Sequence, residues 1–156
     1  MVMSDGLKHR RIEDYLVAIY NLVKSSSDGL VENSSIANYL KVSNSTVSEA
    51  VRRLSDMGLC NYVPYRGVML TKAGENIAFK YILKREILEC LYGYLLNFNI
   101  DEDVASEICS LEHYVNDSSV VKICKALKIP SRCPHGTPLP CNNVCLYSGK
   151  CPLEEG

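Results

Sequence analysis

Ile36-Ala37-Asn38-Tyr39-Leu40-Lys41-Val42-Ser43-Asn44-Ser45-Thr46-Val47-Ser48-Glu49-Ala50-Val51-Arg52-Arg53-Leu54 is the stretch on which the reading of this chain turns. Asn33-Ser34-Ser35 offers N-cap oxygens ahead of a short apolar repeat ending at Leu40. Val42-Ser43-Asn44 makes a brief turn, after which Val47, Val51 and Leu54 recur at steps of 4 and 3. Two short helices around a tight turn form a helix-turn-helix. Upstream, from Arg10 to about Val23, Ile12, Leu16, Ile19 and Val23 line one helical face, and Ser25-Ser26-Ser27-Asp28-Gly29 ends it. Downstream, Gly58 suits a helix C-terminus, and Cys60 to Leu70 reads as two short strands around a turn containing Arg66-Gly67. Pro64 is tolerable there only on an edge. That hairpin is a wing.

Thr71 can cap a long helix from Lys72 to about Leu96, with Ile77, Tyr81, Leu88, Leu91 and Leu95 as its apolar faces. Asp101-Glu102-Asp103 and Asp117 place acids at the positive ends of two further helices, the last reaching Leu127. From about Ile129 the composition turns to Pro, Cys, Gly and Asn, and regular helix is forbidden. The expected architecture is mainly α. It comprises a winged helix-turn-helix domain over 1–74, a helical domain over 75–128 and an irregular Cys-rich tail over 129–156.

The 156 residues suffice for one ordinary domain or two small ones, which excludes a large multidomain enzyme. With 47% hydrophobic and 22% charged residues the chain is neither a disordered acidic tail nor a fibre. Its apolar runs, such as Ile87-Leu88 and Leu95-Leu96, are far too short for a bilayer, and the N-terminus lacks the apolar core of a secretory signal. A cytoplasmic location with no membrane partner is expected. Net charge is -1, but residues 1–74 carry nine Lys/Arg against seven Asp/Glu, and the rest carry eight against eleven. An excess this small does not by itself indicate nucleic-acid binding.

Position and pattern carry that argument instead. Ser43, Asn44, Ser45, Thr46, Ser48, Glu49, Arg52 and Arg53 populate the start and polar face of the second helix of the motif, and Arg66 lies on the wing. Short polar groups can approach base edges and phosphates, while the arginines neutralise backbone charge. A solvated helix face is the bland alternative.

Cys109, Glu112 and His113, at i, i+3 and i+4, bring thiolate, carboxylate and imidazole to one helical face. Such donors suit Fe(II), Mn(II), Ni(II) or Zn(II) better than Mg or Ca. The alternative is a buried thiol beside a surface Glu–His pair. In a reducing compartment the tail thiols Cys133, Cys141, Cys145 and Cys151 point to metal before disulfides. Without a C-x2-C knuckle, their wide intervals suit an iron–sulfur cluster first, zinc second, and disulfides or free thiols third, with His135 able to replace one thiolate. Cys60, Cys90 and Cys124 read as small buried hydrophobes, and Tyr15, Tyr20, Tyr39 and Tyr81 fall at helical core spacings.

Together, Ile12-Glu13-Asp14-Tyr15-Leu16-Val17-Ala18-Ile19-Tyr20, Val42 to Ser48, Tyr65-Arg66-Gly67-Val68-Met69-Leu70-Thr71, Cys109-Ser110-Leu111-Glu112-His113 and Cys133 to Pro140 resemble the diphtheria toxin repressor and manganese transport regulator family. The resemblance covers about residues 10–140. It implies a homodimeric winged-helix repressor that binds a palindromic operator on double-stranded DNA, with Fe(II) or Mn(II) as corepressor. By position the metal ligands would be Asp14, Cys109, Glu112 and His113. Asp14 follows the manganese-type pattern and Cys109 the iron-type, with iron favoured. The family's ancillary site, a His and a Glu four apart plus a second His, falls here on Arg85, Glu89 and about Ala105. No ancillary metal is expected, and Arg85 is expected to pair with Glu89 one turn away. The SH3-like third domain of some members is not expected either. Two rivals remain: a redox regulator sensing through an iron–sulfur tail with the helical site vestigial, and a winged-helix transcription assembly factor. No enzyme is expected, since no nucleophile–base–orienter arrangement is recognisable.

Overall fold

Helix α1 (Ile12–Val23) forms because its apolar residues repeat at helical spacing, and it buries Tyr15 through Ile19. After a loop come α2 (Asn33–Leu40) and α3 (Asn44–Asp56), joined by Lys41 in the left-handed conformation at φ 56° and by the Val42 amide donating to the Ala37 carbonyl at 3.0 Å. Ser43 caps α3 by accepting from the Thr46 amide at 3.1 Å. Gly58, at φ +70°, ends α3 as a glycine cap should, its amide donating to the Ser55 carbonyl. Strands β1 (Cys60–Val63) and β2 (Gly67–Leu70) pair antiparallel, with Cys60 opposite Leu70 and Val63 opposite Gly67. Thr71 then caps α4 (Lys72–Cys90), accepting from the Gly74 amide and donating to the Gly58 carbonyl.

The computed structural model describes residues 11–128 together with Arg132, Pro134 and Leu139. The chain divides into two units after Phe79. In the first, Leu16, Ile19, Ile36, Val47, Leu54 and Val68 are fully buried and form the core. Val31 adds a bridge to the hairpin, exchanging both backbone hydrogen bonds with Val68 at 2.9 Å. Gly67 permits this approach: at φ +130° a side chain would be strained, and a Cβ would strike the Val31 carbonyl.

In the second unit, α4 gives way at Leu91 to a π-helical turn, Leu91–Leu95, in which the Leu96 amide donates to the Leu91 carbonyl. Then come α5 (Glu102–Leu111), capped by the Asp101 carboxylate on the Val104 amide, and α6 (Asp117–Ala126). Leu83, Ile87, Leu88, Ile108 and Val120 are its fully buried centre. Tyr94, Leu95, Leu96 and Phe98 stay exposed around the π turn. Among the described residues no helix is long and apolar enough to cross a membrane.

Several local expectations are corrected. Helix α2 has Glu32 at its N-cap without a side-chain cap bond, so Asn33, Ser34 and Ser35 form its first turn. Helix α6 carries Asp117 in its first turn as expected, with Asn116 as its cap, accepting from the Ser119 amide at 2.8 Å. Pro64 sits in the turn and not in a strand, while Gly67 opens β2. Tyr39 is 50% exposed and no core residue; its hydroxyl accepts from the Asn21 side chain. Cys60, Cys90 and Cys124 are buried as expected. The tail thiols Cys133, Cys141, Cys145 and Cys151, and His135, lie outside the described residues.

Candidate nucleic-acid interface and metal centre

On α3 the apolar side faces the core, so Asn44, Ser45, Thr46, Ser48, Glu49, Arg52 and Arg53 are all exposed, as is Ser43 at its start. Ser43 is also engaged structurally, its hydroxyl lying 2.7 Å from that of Thr46 and 2.8 Å from that of Ser45. Ser48 donates to the Asn44 carbonyl at 2.9 Å and accepts from Asn33 at 3.2 Å. Arg52, with Asn33, Ser48 and Tyr62, lines a groove of about 370 Å³ between α3 and the wing. The face offers hydroxyls, an amide and cations at once, a mixture suited to phosphate and base-edge contact.

On the wing, Arg66 pairs with Asp28 at 2.9 Å. Hydrogen bonds from the Ser26 hydroxyl, the Leu30 amide and Arg66 hold the Asp28 carboxyl below its ordinary range, the first being the largest effect. Sequence reasoning named Arg66 but missed Asp28, because 38 residues separate them and no local pattern joins them. It also missed Tyr65, fully exposed beside Arg66 at φ 63°.

The second unit holds the metal candidates Cys109, Glu112 and His113. Helix α5 ends at Leu111, with Glu112 as its C-cap at φ -55°, ψ -27°. The expected helical face is therefore the last turn of α5 and the turn beyond, with His113 past the helix end. Cys109 Sγ and a Glu112 carboxylate oxygen lie within 4.8 Å of one another. His113 Nε2 is 3.8 Å from Glu112 Oε1, and Tyr81 packs against the imidazole with ring centroids 5.1 Å apart. Glu112 is 1% exposed, an uncommon environment for a carboxylate and one that demands a compensating charge.

Arg85 supplies it. Its Nε donates to Glu112 Oε2 at 2.8 Å and its Nη2 to Oε1 at 2.7 Å, a bidentate fork. The same Nη2 lies 3.6 Å from Cys109 Sγ. The sequence suggests Glu89, one turn along α4, as the partner of Arg85; the fork adds Glu112, at the C-cap of α5, which no local spacing signals. Thiol and carboxylate face one positive charge and the imidazole lies beside the same carboxylate, donor types that suit a divalent ion. Nearby, Lys84 is 8% exposed and bonds Asp117 Oδ1 at 2.6 Å and the Val115 carbonyl at 3.1 Å, while Lys80 meets the same carboxylate at 3.6 Å. These lysines fasten the turn after His113 to α4. Asp14, the fourth candidate ligand, belongs to the first unit, where its Oδ2 accepts from the Arg11 amide at 3.0 Å at the start of α1.

Family models match both units. Residues 9–68 fit the N-terminal DNA binding domain of the iron dependent repressors, and residues 71–141 fit their metal binding and dimerisation domain. The HTH-type transcriptional regulator MntR of Oceanobacillus iheyensis is 32% identical over 112 residues, 72% of this chain and 74% of that protein. The diphtheria toxin repressor of Corynebacterium diphtheriae is 32% identical over 82% of this chain and 55% of its own length. The solved structure of the manganese regulator SloR superposes with a TM-score of 0.72 at 36% identity, covering 83% of this chain and 59% of that one. The chain thus spans a little over half the length of the latter two.

Proposed function

The chain belongs to the iron-dependent repressor family, and from that premise we propose that it is a metal-dependent, DNA-binding transcriptional repressor in the cytoplasm, controlling metal homeostasis as a homodimer on a palindromic operator. The observation that carries the reading is the buried Glu112 carboxylate, with Cys109 Sγ within 4.8 Å of one of its oxygens and His113 Nε2 3.8 Å from Oε1, within the region matched by the family's metal-binding model. When bound, Fe(II) or Mn(II) supplies the charge that draws these donors into one arrangement.

Cys109, Glu112, His113 and Asp14 are the residues that would hold the ion. The ion's charge would favour the arrangement in which the winged helices match operator half-sites. Ser45, Ser48 and Asn44 then read the groove while Arg52, Arg53 and Arg66 meet phosphates. The manganese regulators among the relatives support Mn(II), and the thiol of Cys109 supports Fe(II). The tail thiols Cys133, Cys141, Cys145 and Cys151 are read from their spacing as an iron–sulfur site, with zinc as the alternative.

The test is operator binding measured with and without Fe(II) or Mn(II) under anaerobic conditions, for the native chain and for His113→Ala. Metal-stimulated, salt-dependent binding that His113→Ala abolishes is expected. Binding indifferent to both metals and to that substitution, yet lost when the tail cysteines are replaced, would transfer sensing to the tail.

A further inference from the structure

The Arg85 guanidinium bonds two of the side chains proposed as metal donors, Glu112 and Cys109. Both oxygens of Glu112 are engaged by it, at 2.8 and 2.7 Å, and the nitrogen that holds Oε1 also lies 3.6 Å from Cys109 Sγ. One side chain therefore faces two of the metal donors at once. Because Glu112 is 1% exposed, it needs a positive partner whenever no metal is bound. Arg85 is 29% exposed, so its head has a route to water that Glu112 lacks.

We propose that Arg85 is a built-in competitor of the corepressor: it holds Glu112 and Cys109 in the metal-free protein and must withdraw for a divalent ion to bind. This rests on the metal-site reading above. Two cations sharing one buried carboxylate repel, and a fork that uses both oxygens leaves a metal only the less favoured lone pairs. Apparent metal affinity is then the intrinsic affinity multiplied by the fraction of molecules whose fork is open. Arg85 thus sets the metal concentration at which the protein responds. An arginine serves this purpose better than a lysine, because its planar fork satisfies both oxygens at once.

The experiment titrates Mn(II) calorimetrically into the full chain, freed of metal by chelation, for the native protein, Arg85→Ala, Arg85→Lys and Glu112→Gln, with thermal melts of each metal-free form. Arg85→Ala is expected to bind Mn(II) about tenfold tighter, the gain from opening a fork that is closed in about nine molecules of ten. Its metal-free form should melt lower and gain more on adding Mn(II). Arg85→Lys, which keeps the charge and guards against misfolding of the alanine variant, should fall between. Equal or weaker binding by both Arg85 variants, with native binding still dependent on Glu112, overturns the competitor and makes Arg85 an outer support of the ligand. No binding by any variant, or binding unchanged in Glu112→Gln, overturns the metal site itself and the competitor with it.

Discussion

The two units handle charge in opposite ways. In the first, Arg52, Arg53 and Glu49 stand in water, and polar pairs, whether local caps such as Ser43 on α3 or the distant Asp28–Arg66 pair, lie at the surface. In the second, charges are carried inside. Glu112 and Lys84 are buried and are satisfied by partners 27 and 31 residues away. A surface that must meet a large polyanion keeps its cations solvated and available, whereas a site that must select a small cation keeps its anion dry and guarded.

Substitutions can break or sharpen that contrast. In the first unit the largest effect belongs to the apolar core: Leu54→Ala should cost about 2–5 kcal/mol by denaturant unfolding, with little change in slope. In the second, Lys84→Met should cost about 1–3 kcal/mol, because Asp117 and the Val115 carbonyl lose their partner. An unchanged midpoint would show that the buried charge there is dispensable. Ser43→Ala should cost about 1 kcal/mol through the lost α3 cap. It should weaken DNA binding no more than that loss explains, unless the hydroxyl also meets DNA.

Smaller still is the surface pair. Asp28→Asn should lower stability only slightly at pH 7, because the pair stands in solvent. Its contribution is present above the ordinary carboxylate range and fades as pH falls through the depressed folded value, so native and variant stabilities should converge in acid. The same change frees Arg66 and should steepen the salt dependence of DNA binding. At the alkaline end, burial pushes the Cys60 thiol up to about 11. The stability it contributes is full below the ordinary thiol range and is lost as pH rises through that value. Cys60→Ala should flatten that alkaline decline, and Cys60 should resist alkylation in the native chain at pH 8.

Where structure follows from neighbours in sequence, it was legible. The repeats through Leu16, Ile19, Val47, Val51 and Leu54, the Gly58 stop and the Thr71 and Asp101 caps all depend on side chains within one or two turns. The spacing of Cys109, Glu112 and His113 was legible for the same reason, although α5 ends before it is complete. What escaped depends on chain returning from afar. Arg85 read as a partner of Glu89 because i, i+4 geometry is all a single helix can suggest; its fork onto Glu112 needs α4 and α5 packed together. The Asp28–Arg66 pair and the Val31–Val68 bridge each join residues more than thirty apart, for which periodicity has no signal.

That bridge has a mechanical meaning. Val31 lies two residues before α2, and α2 is tied to α3 through Asn33 and Ser48, so the hairpin hangs from the same short segment that carries the reading helix. Helix α3 and the hairpin, the elements proposed to meet DNA, are thus two tines tied to one stem. In the proposed function, a half-site whose grooves are spaced differently would be met by bending or twisting the duplex, and its stiffness would become part of what is read.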